Sequence, residues 1–267
     1  MVNLFEGVTS PAGATGAVDK VIGGLITALI SDGEISGSEG EVTLIHTPSS
    51  VYPDLKASRV LVAGLGPNDR IDTNAIRRVS ATVIRKLREV QVKKFATIVH
   101  GAGIGGVDVT PSAQSLVEGS ILGAYRFLKY RTTDTKRKSD VESMVIVESD
   151  SSKLAAIRDA IKKGVTYSNA EILARDLVNE PANKLSPSDL ASVALKVASD
   201  NGIECEVLEE AEVSALGMGA YTGVAQGSSR PLKFIHMSYL GDSSNLENNL
   251  WLIGKGITFD SGGISLK

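Results

Sequence analysis

The chain has 267 residues, room for one large domain or two modest ones. An apolar fraction of 42% and a charged fraction of 22% are those of an ordinary globular protein. A formal charge of -3 supplies no global basic field for nucleic acid. The basic clusters Arg85, Lys86 and Arg88, then Lys93 and Lys94, then Lys136, Arg137 and Lys138, are short and dispersed, and read as solvated faces and a basic loop. The single cysteine, Cys205, excludes an internal disulfide and fits a reducing compartment. At the amino terminus no basic stretch leads into an apolar core and a small-residue cleavage site, so no signal peptide is expected. No apolar run has the length to span a bilayer, and the expectation is a soluble, cytoplasmic protein.

In chain order, Val18, Ile22, Leu25, Ile26 and Leu29 recur at helical spacing, and Val42 to His46 then reads as a strand. Val60 to Ala63 is a second apolar strand, running into Gly64-Leu65-Gly66-Pro67. Ile76, Val79, Val83 and Leu87 line one face of a helix, and Phe95 to Val99 is a third strand. Strand, helix and strand at these spacings predict an α/β fold with a mainly parallel, helix-flanked sheet. A helix over 112–128, a polar loop over 131–140 and a strand over 141–147 complete a first domain, residues 1–150.

Leu154, Ile157, Ile161, Val165, Ile172 and Leu177 then fall broadly on one face of a long helix reaching Asn179. Pro181 marks its end, because the residue before a proline is driven out of the helical region. This helix is expected to link the first domain to a second, incomplete α/β domain, the two together filling 151–267. Ser186-Pro187-Ser188-Asp189 opens the next helix with an N-cap serine, a proline at the first helical position and an acid in the first turn. Strands are predicted over 203–207, 232–239 and 250–253. Cys205 alternates with Ile203 and Val207, so it reads as a buried strand residue.

Gly64-Leu65-Gly66 and Gly101-Ala102-Gly103-Ile104-Gly105-Gly106 each follow a strand. Neither forms a dinucleotide fingerprint opening a helix, and neither carries the Gly-Lys-Ser/Thr ending of a phosphate loop. Tight strand-exit turns are the favoured reading, with a nucleotide-type pocket as the alternative. His46, His100 and His236 are isolated and lie in or at the end of apolar strands, so each reads as a structural histidine. Zinc held mainly by histidine is therefore not expected.

The final run, Gly254 to Lys267, reads GKGITFDSGGISLK. Lys255 follows an apolar strand, so its ammonium would be desolvated unless paired or coordinated. Asp260 precedes Ser261-Gly262-Gly263, where backbone can approach a ligand closely, and Lys267 brings a second cation. Open α/β sheets build sites at the carboxyl ends of such strands. A Lys255–Asp260 salt bridge in a turn is the plain structural alternative.

These residues resemble the leucyl aminopeptidases, cytosolic dinuclear metallopeptidases. Arg175 to Asn183 (RDLVNEPAN), Leu216 to Gly219, Val224 to Ser228 and Gly254 to Lys267 resemble that family's blocks in the same order. Over residues 1–150 the likeness is looser, chiefly Gly123 to Phe127. The resemblance implies an N-terminal domain similar to macro domains, which bind ADP-ribose elsewhere but are chiefly structural in this family. It implies that Lys255 ligates one metal through a neutral amine and that Asp260 bridges two divalent ions, Mn²⁺ or Zn²⁺. It further implies that Lys267 stays cationic as a catalytic electrophile, that a bicarbonate acts as base, and that substrates are peptides with leucine preferred. A homo-oligomer, a hexamer, is implied for the full-length family, with no membrane or nucleic-acid partner. The family's remaining carboxylate ligands and its bicarbonate-holding arginine lie beyond Lys267, and Met1 to Phe5 begins inside its first strand. The chain therefore reads as an amino-terminal fragment, inactive by itself and holding no metal. The alternative function is a binding module, for an ADP-ribose-like nucleotide at Gly101 to Gly106 or for DNA through the basic clusters.

Overall fold

The computed structural model describes residues 1–103, 105–133 and 140–256. It divides into two compact units, Met1–Leu173 and Ala174–Lys267.

In the first unit, β1 (Val2–Leu4) runs parallel to β3 (Arg59–Gly64), with Val2 opposite Val62 and Leu4 opposite Gly64. β2 (Val42–His46) pairs antiparallel on the other side of β3, Val42 facing Ala63 and His46 facing Arg59. β4 (Lys94–Thr97) and β5 (Ser143–Ile146) form a separate parallel pair. The expected mainly parallel sheet is thus a mixed, three-stranded sheet in the order β1-β3-β2 beside a two-stranded one. The link between β2 and β3 contains turns but no helix. Parallel pairing ordinarily needs a helical crossover, so these two neighbours return antiparallel.

Where the apolar spacing predicted one helix over Val18 to Leu29, two form: α1 (Gly13–Val21) and α2 (Leu25–Ser31). Gly23 and Gly24 separate them with φ of 71° and 81°, a left-handed turn that glycine adopts without a Cβ clash. Asp19, buried in α1, fixes the bend by accepting the Ile26 amide at 2.7 Å and the Thr27 hydroxyl at 2.5 Å. Its carboxylate thereby satisfies first-turn donors of α2 that would otherwise have no partner.

α3 (Thr73–Glu89) begins at Asp72, whose carboxylate accepts from the Ala75 amide at 2.7 Å. It buries Ile76, Val79, Val83 and Leu87, the stripe read from spacing. α4 (Val109–Ala124) lies against it at short range. A Cβ added to Gly119 would sit 2.3 Å from the Arg77 carbonyl oxygen, and one on Gly123 would sit 2.5 Å from the Ala81 Cα. Across this contact Arg77 Nε meets the nearly buried Glu118 carboxylate at 2.5 Å, and Gln114 donates to the other oxygen at 2.7 Å. α5 (Leu154–Asn179) has the predicted bounds and buries Ile157, Ala160, Gly164 and Ser168 on one stripe.

In the second unit, α6 (Pro187–Asn201) opens on the predicted cap as a full capping box: Ser186 receives the Asp189 amide, and the Asp189 carboxylate receives that of Ser186. β6 (Glu204–Leu208) pairs antiparallel with β7 (Phe234–Ser238), and α7 (Glu210–Ala215) and α8 (Gly219–Ala225) lie between them in the chain. Cys205 is half-buried in β6 rather than fully buried. The predicted strand over 250–253 does not form: Leu250 to Ile253 are exposed and without a ladder partner among the described residues. A run apolar on both faces suits a central strand, and no described strand flanks it. No single helix among the described residues is long and apolar enough to cross a membrane.

Candidate functional site

The segment that carries Lys255 passes β7 and reaches α6. Alternation along the β6–β7 pair places Glu204, Glu206, His236 and Ser238 on one face. There the Ser238 hydroxyl donates to the Glu204 carboxylate at 3.0 Å, and His236 Nδ1 lies 3.9 Å from Glu206 Oε2. The Trp251 ring stacks over the His236 ring, centroids 6.4 Å apart and planes 12° apart. Further along, a Cβ added to the exposed Gly256 would lie 3.3 Å from Leu190 Cδ2 of α6.

Lys255 lies between Trp251 and Gly256 with its side chain exposed. Its ammonium meets solvent, and the apolar run before it is not paired as a strand among the described residues. Asp260 and Lys267 lie outside the described residues, so of the three predicted site residues only Lys255 has a described place. Among the described residues, no three His, Cys, Asp or Glu side chains gather as a cation would require.

The remaining sequence blocks fall at helix ends. Arg175 to Asn183 straddles the last turn of α5 and the turn after it, where the Lys184 amide donates to the Pro181 carbonyl at 2.8 Å. Leu216 to Gly219 joins α7 to α8 through Gly217 at φ 75°. Val224 to Ser228 closes α8, the Ser228 amide returning to the Ala225 carbonyl at 2.9 Å. Tyr221 ties α8 to β7: its hydroxyl donates to the Lys233 carbonyl at 2.6 Å, and its ring meets Phe234 edge-on at 5.7 Å. Lys233 pairs with Glu209.

The histidines differ. His100 is fully buried three residues past β4, with Nδ1 2.9 Å from the Asn3 side-chain nitrogen and Nε2 3.4 Å from Thr97 Oγ1. Burial, and secondarily the nearby positive charge of the Met1 amino group, pushes its pKa down to about 3. It is a neutral, satisfied core histidine, as its position in the sequence suggested. His46 and His236 are exposed instead, because each points out from a two-faced strand.

The glycine loop after β4 has a packing reason. A Cβ on Gly101 would lie 3.2 Å from Ile76 Cδ1, and one on Gly105 would lie 2.9 Å from Ile71 Cγ2 and 3.0 Å from Phe5 Cζ. Their missing side chains let this turn close onto the core. In the basic clusters, Lys86 pairs with Glu89 at 3.5 Å, Lys93 with Glu142 at 3.0 Å, and Arg88 donates to the Ala124 carbonyl at 3.1 Å. Lys136, Arg137 and Lys138 lie outside the described residues.

Two family profiles match the chain: "Cytosol aminopeptidase family, N-terminal domain" over residues 1–134 and "Cytosol aminopeptidase family, catalytic domain" over residues 172–267. The chain is 34% identical over 269 residues to a "Probable cytosol aminopeptidase" of Alkaliphilus oremlandii, covering 100% of this chain and 52% of that one. It is 38% identical over 239 residues to a protein of the same description from Solibacter usitatus, covering 90% and 47%. In fold it is similar to a mutant of tomato leucine aminopeptidase, with a TM-score of 0.72 at 23% identity over 88% of this chain and 46% of that one. It is likewise similar to the bottromycin maturation enzyme BotP in complex with Mn, with a TM-score of 0.68 at 24% identity over 89% and 44%. The chain spans about half the length of the curated relatives it matches. Its two matched regions, in order and over most of its length, place it in one family: the chain belongs to the cytosol aminopeptidases.

Proposed function

We propose that this chain is the amino-terminal part of a metalloaminopeptidase that releases N-terminal residues, leucine preferred, from peptides. The observation that carries the reading is the match of the family's catalytic domain to residues 172–267, which includes Lys255, Asp260 and Lys267. The donor chemistry is compatible. Lys255 presents an exposed amine with no ion pair among the described residues, and a ligating amine must be free of a competing carboxylate. Lys255 and Asp260 would hold metal. Two divalent cations, Mn²⁺ or Zn²⁺, would supply Lewis acidity and a nucleophile from water at neutral pH. The Lys267 ammonium would stabilise negative charge developing on the scissile carbonyl oxygen. Further ligands, and a bicarbonate base if one is used, would come from outside these residues. Residues 1–150 would form the amino-terminal domain, with the macro-like architecture that the resemblance implies, and 151–267 the linker helix and the first part of the catalytic domain. The working enzyme would be a cytoplasmic homo-oligomer, a hexamer.

Hydrolysis of leucine p-nitroanilide with Mn²⁺ by the full-length protein that contains this sequence tests the proposal. Release of p-nitroaniline that is lost on chelation is the expected result. A metal-independent rate, or none with any N-terminal residue, would sink it.

A further inference from the structure

We propose that Asn201, the last residue of α6, is a site of spontaneous deamidation whose rate is set by the helix end that holds it. Asn201-Gly202 is the only asparagine–glycine pair in the sequence. The inference is independent of the aminopeptidase reading and involves neither metal nor peptide substrate.

Both reacting groups are engaged in the structure. The Asn201 side-chain nitrogen Nδ2 donates to the Val197 carbonyl at 2.8 Å, and the Gly202 backbone N–H donates to the Ala198 carbonyl. The Ile203 amide returns to that same Ala198 carbonyl at 3.0 Å. Gly202 holds the left-handed conformation that commonly ends a helix, with φ 66° and ψ 35°. Asn201 and Gly202 are both exposed, and no atom lies within 4 Å of where a Cβ on Gly202 would stand. Solvent therefore reaches the pair, and the hydrogen bonds of the last turn are what restrain it. Such a turn, at a helix end on the surface, opens at low cost compared with the core.

Once the turn opens, the Gly202 nitrogen gives its proton to hydroxide and attacks Cγ of Asn201. The N–Cγ bond forms, the Cγ–Nδ2 bond breaks, and Nδ2 leaves as ammonia. Glycine suits this step because no side chain crowds its nitrogen. Water then opens the five-membered imide. Cleavage at Cγ leaves aspartate, whereas cleavage at the main-chain carbonyl carbon leaves isoaspartate, with the backbone routed through Cβ. Either product sets a second carboxylate beside Asp200 at the end of α6 where the helix dipole is negative. Isoaspartate also lengthens the backbone just before β6, which begins at Glu204. Deamidation thus loosens the junction of α6 and β6, and the intact cap delays it.

The test ages the 267-residue protein, Lys196→Gly and Asn201→Gln in mildly alkaline buffer, beside a peptide of residues 196–206. Peptide mapping by mass spectrometry counts aspartate and isoaspartate at position 201. Lys196 is exposed and pairs with Asp200 at 2.8 Å, so glycine in its place loosens the last turn while far-UV circular dichroism stays the same. Conversion is expected to be about fivefold slower in the protein than in the peptide. Lys196→Gly should speed it about two- to fivefold, and Asn201→Gln should abolish it. Conversion as fast in the protein as in the peptide would overturn the restraint by the cap. An unchanged protein beside a fully converted peptide would overturn the site. Equal rates in the parent and Lys196→Gly would overturn control by the helix end.

Discussion

The side-chain amide of Asn3 donates to Nδ1 of His100 at 2.9 Å, joining residues 97 positions apart in the chain. The contact ties the strand at the amino terminus to the segment just past β4, and the Met1 amino group ties it to β4 itself, donating to the Ala96 carbonyl at 2.7 Å. With Nδ1 accepting, the ring proton belongs on Nε2, which faces Thr97 Oγ1 at 3.4 Å. A neutral imidazole therefore satisfies both nitrogens inside the core, and a protonated one would bring an uncompensated charge there.

Stability should depend on pH through this residue. In the unfolded chain a histidine takes up its proton near pH 6.5, whereas folded His100 does so only near 3. Between those values the unfolded state binds more protons, so stability falls as the pH drops through that window. The limiting slope from one such group is about 1.4 kcal/mol per pH unit. Replacing His100 by Gln keeps a polar group beside Asn3 and removes the titration. Urea unfolding at pH 7 and pH 5 should show a smaller loss in His100→Gln than in the parent; equal losses would assign the pH dependence elsewhere.

The α3–α4 contact should tolerate no side chain at Gly119. A Cβ there would meet the Arg77 carbonyl oxygen at 2.3 Å, a backbone atom that cannot swing away. Gly119→Val should cost about 1–3 kcal/mol or more, as overpacking does. Gly219→Ala at the start of α8, where no atom lies within 4 Å of the added Cβ, is the matched control and should be near neutral. A shift in the urea midpoint for the first variant alone is the expected pattern.

Removing the Ser186 hydroxyl should loosen the start of α6. Ser186→Ala loses the acceptor for the Asp189 amide, one half of the capping box. The Asp189 carboxyl, held below the usual carboxylate range chiefly by its hydrogen bond from the Ser186 hydroxyl, should titrate higher. Amides of the first turn should exchange with solvent roughly fivefold faster, the equivalent of a lost N-cap. Unchanged exchange would show that packing of the helix, rather than its cap, sets its end.

Activity should separate the roles proposed for the terminal run. In the full-length protein, Asp260→Ala should abolish turnover by removing a metal ligand, and Lys255→Ala should weaken metal retention. Lys267→Ala should leave metal content intact and lower kcat by ~10²–10³, the effect of losing one preorganised oxyanion donor. Residues 1–267 alone with Mn²⁺ should show no turnover, and a rate of ~1–10³ s⁻¹ would refute the need for further ligands. Metal analysis beside each assay distinguishes lost ligation from lost chemistry.

Sequence by itself determined whatever is decided within a few residues. The buried stripe of α3, the extent of α5 before Pro181 and the Ser186–Asp189 box depend on residues within one element or its flanks, so residue spacing and cap chemistry expose them. The ordered blocks from Arg175 to Lys267 pointed to the family for a related reason: their residue types and order are visible without any contact being known. The Gly23–Gly24 break was also written locally, but the apolar period running across it hid it. Tertiary structure alone decided the antiparallel return of β2, the burial of His100 against the exposure of His46 and His236, and the meeting of Trp251 with His236. These outcomes turn on which strand lies beside which, and an apolar run such as Leu250 to Ile253 carries no record of its neighbour. A strand is buried only by partners distant in sequence, whereas a helical turn satisfies its own backbone.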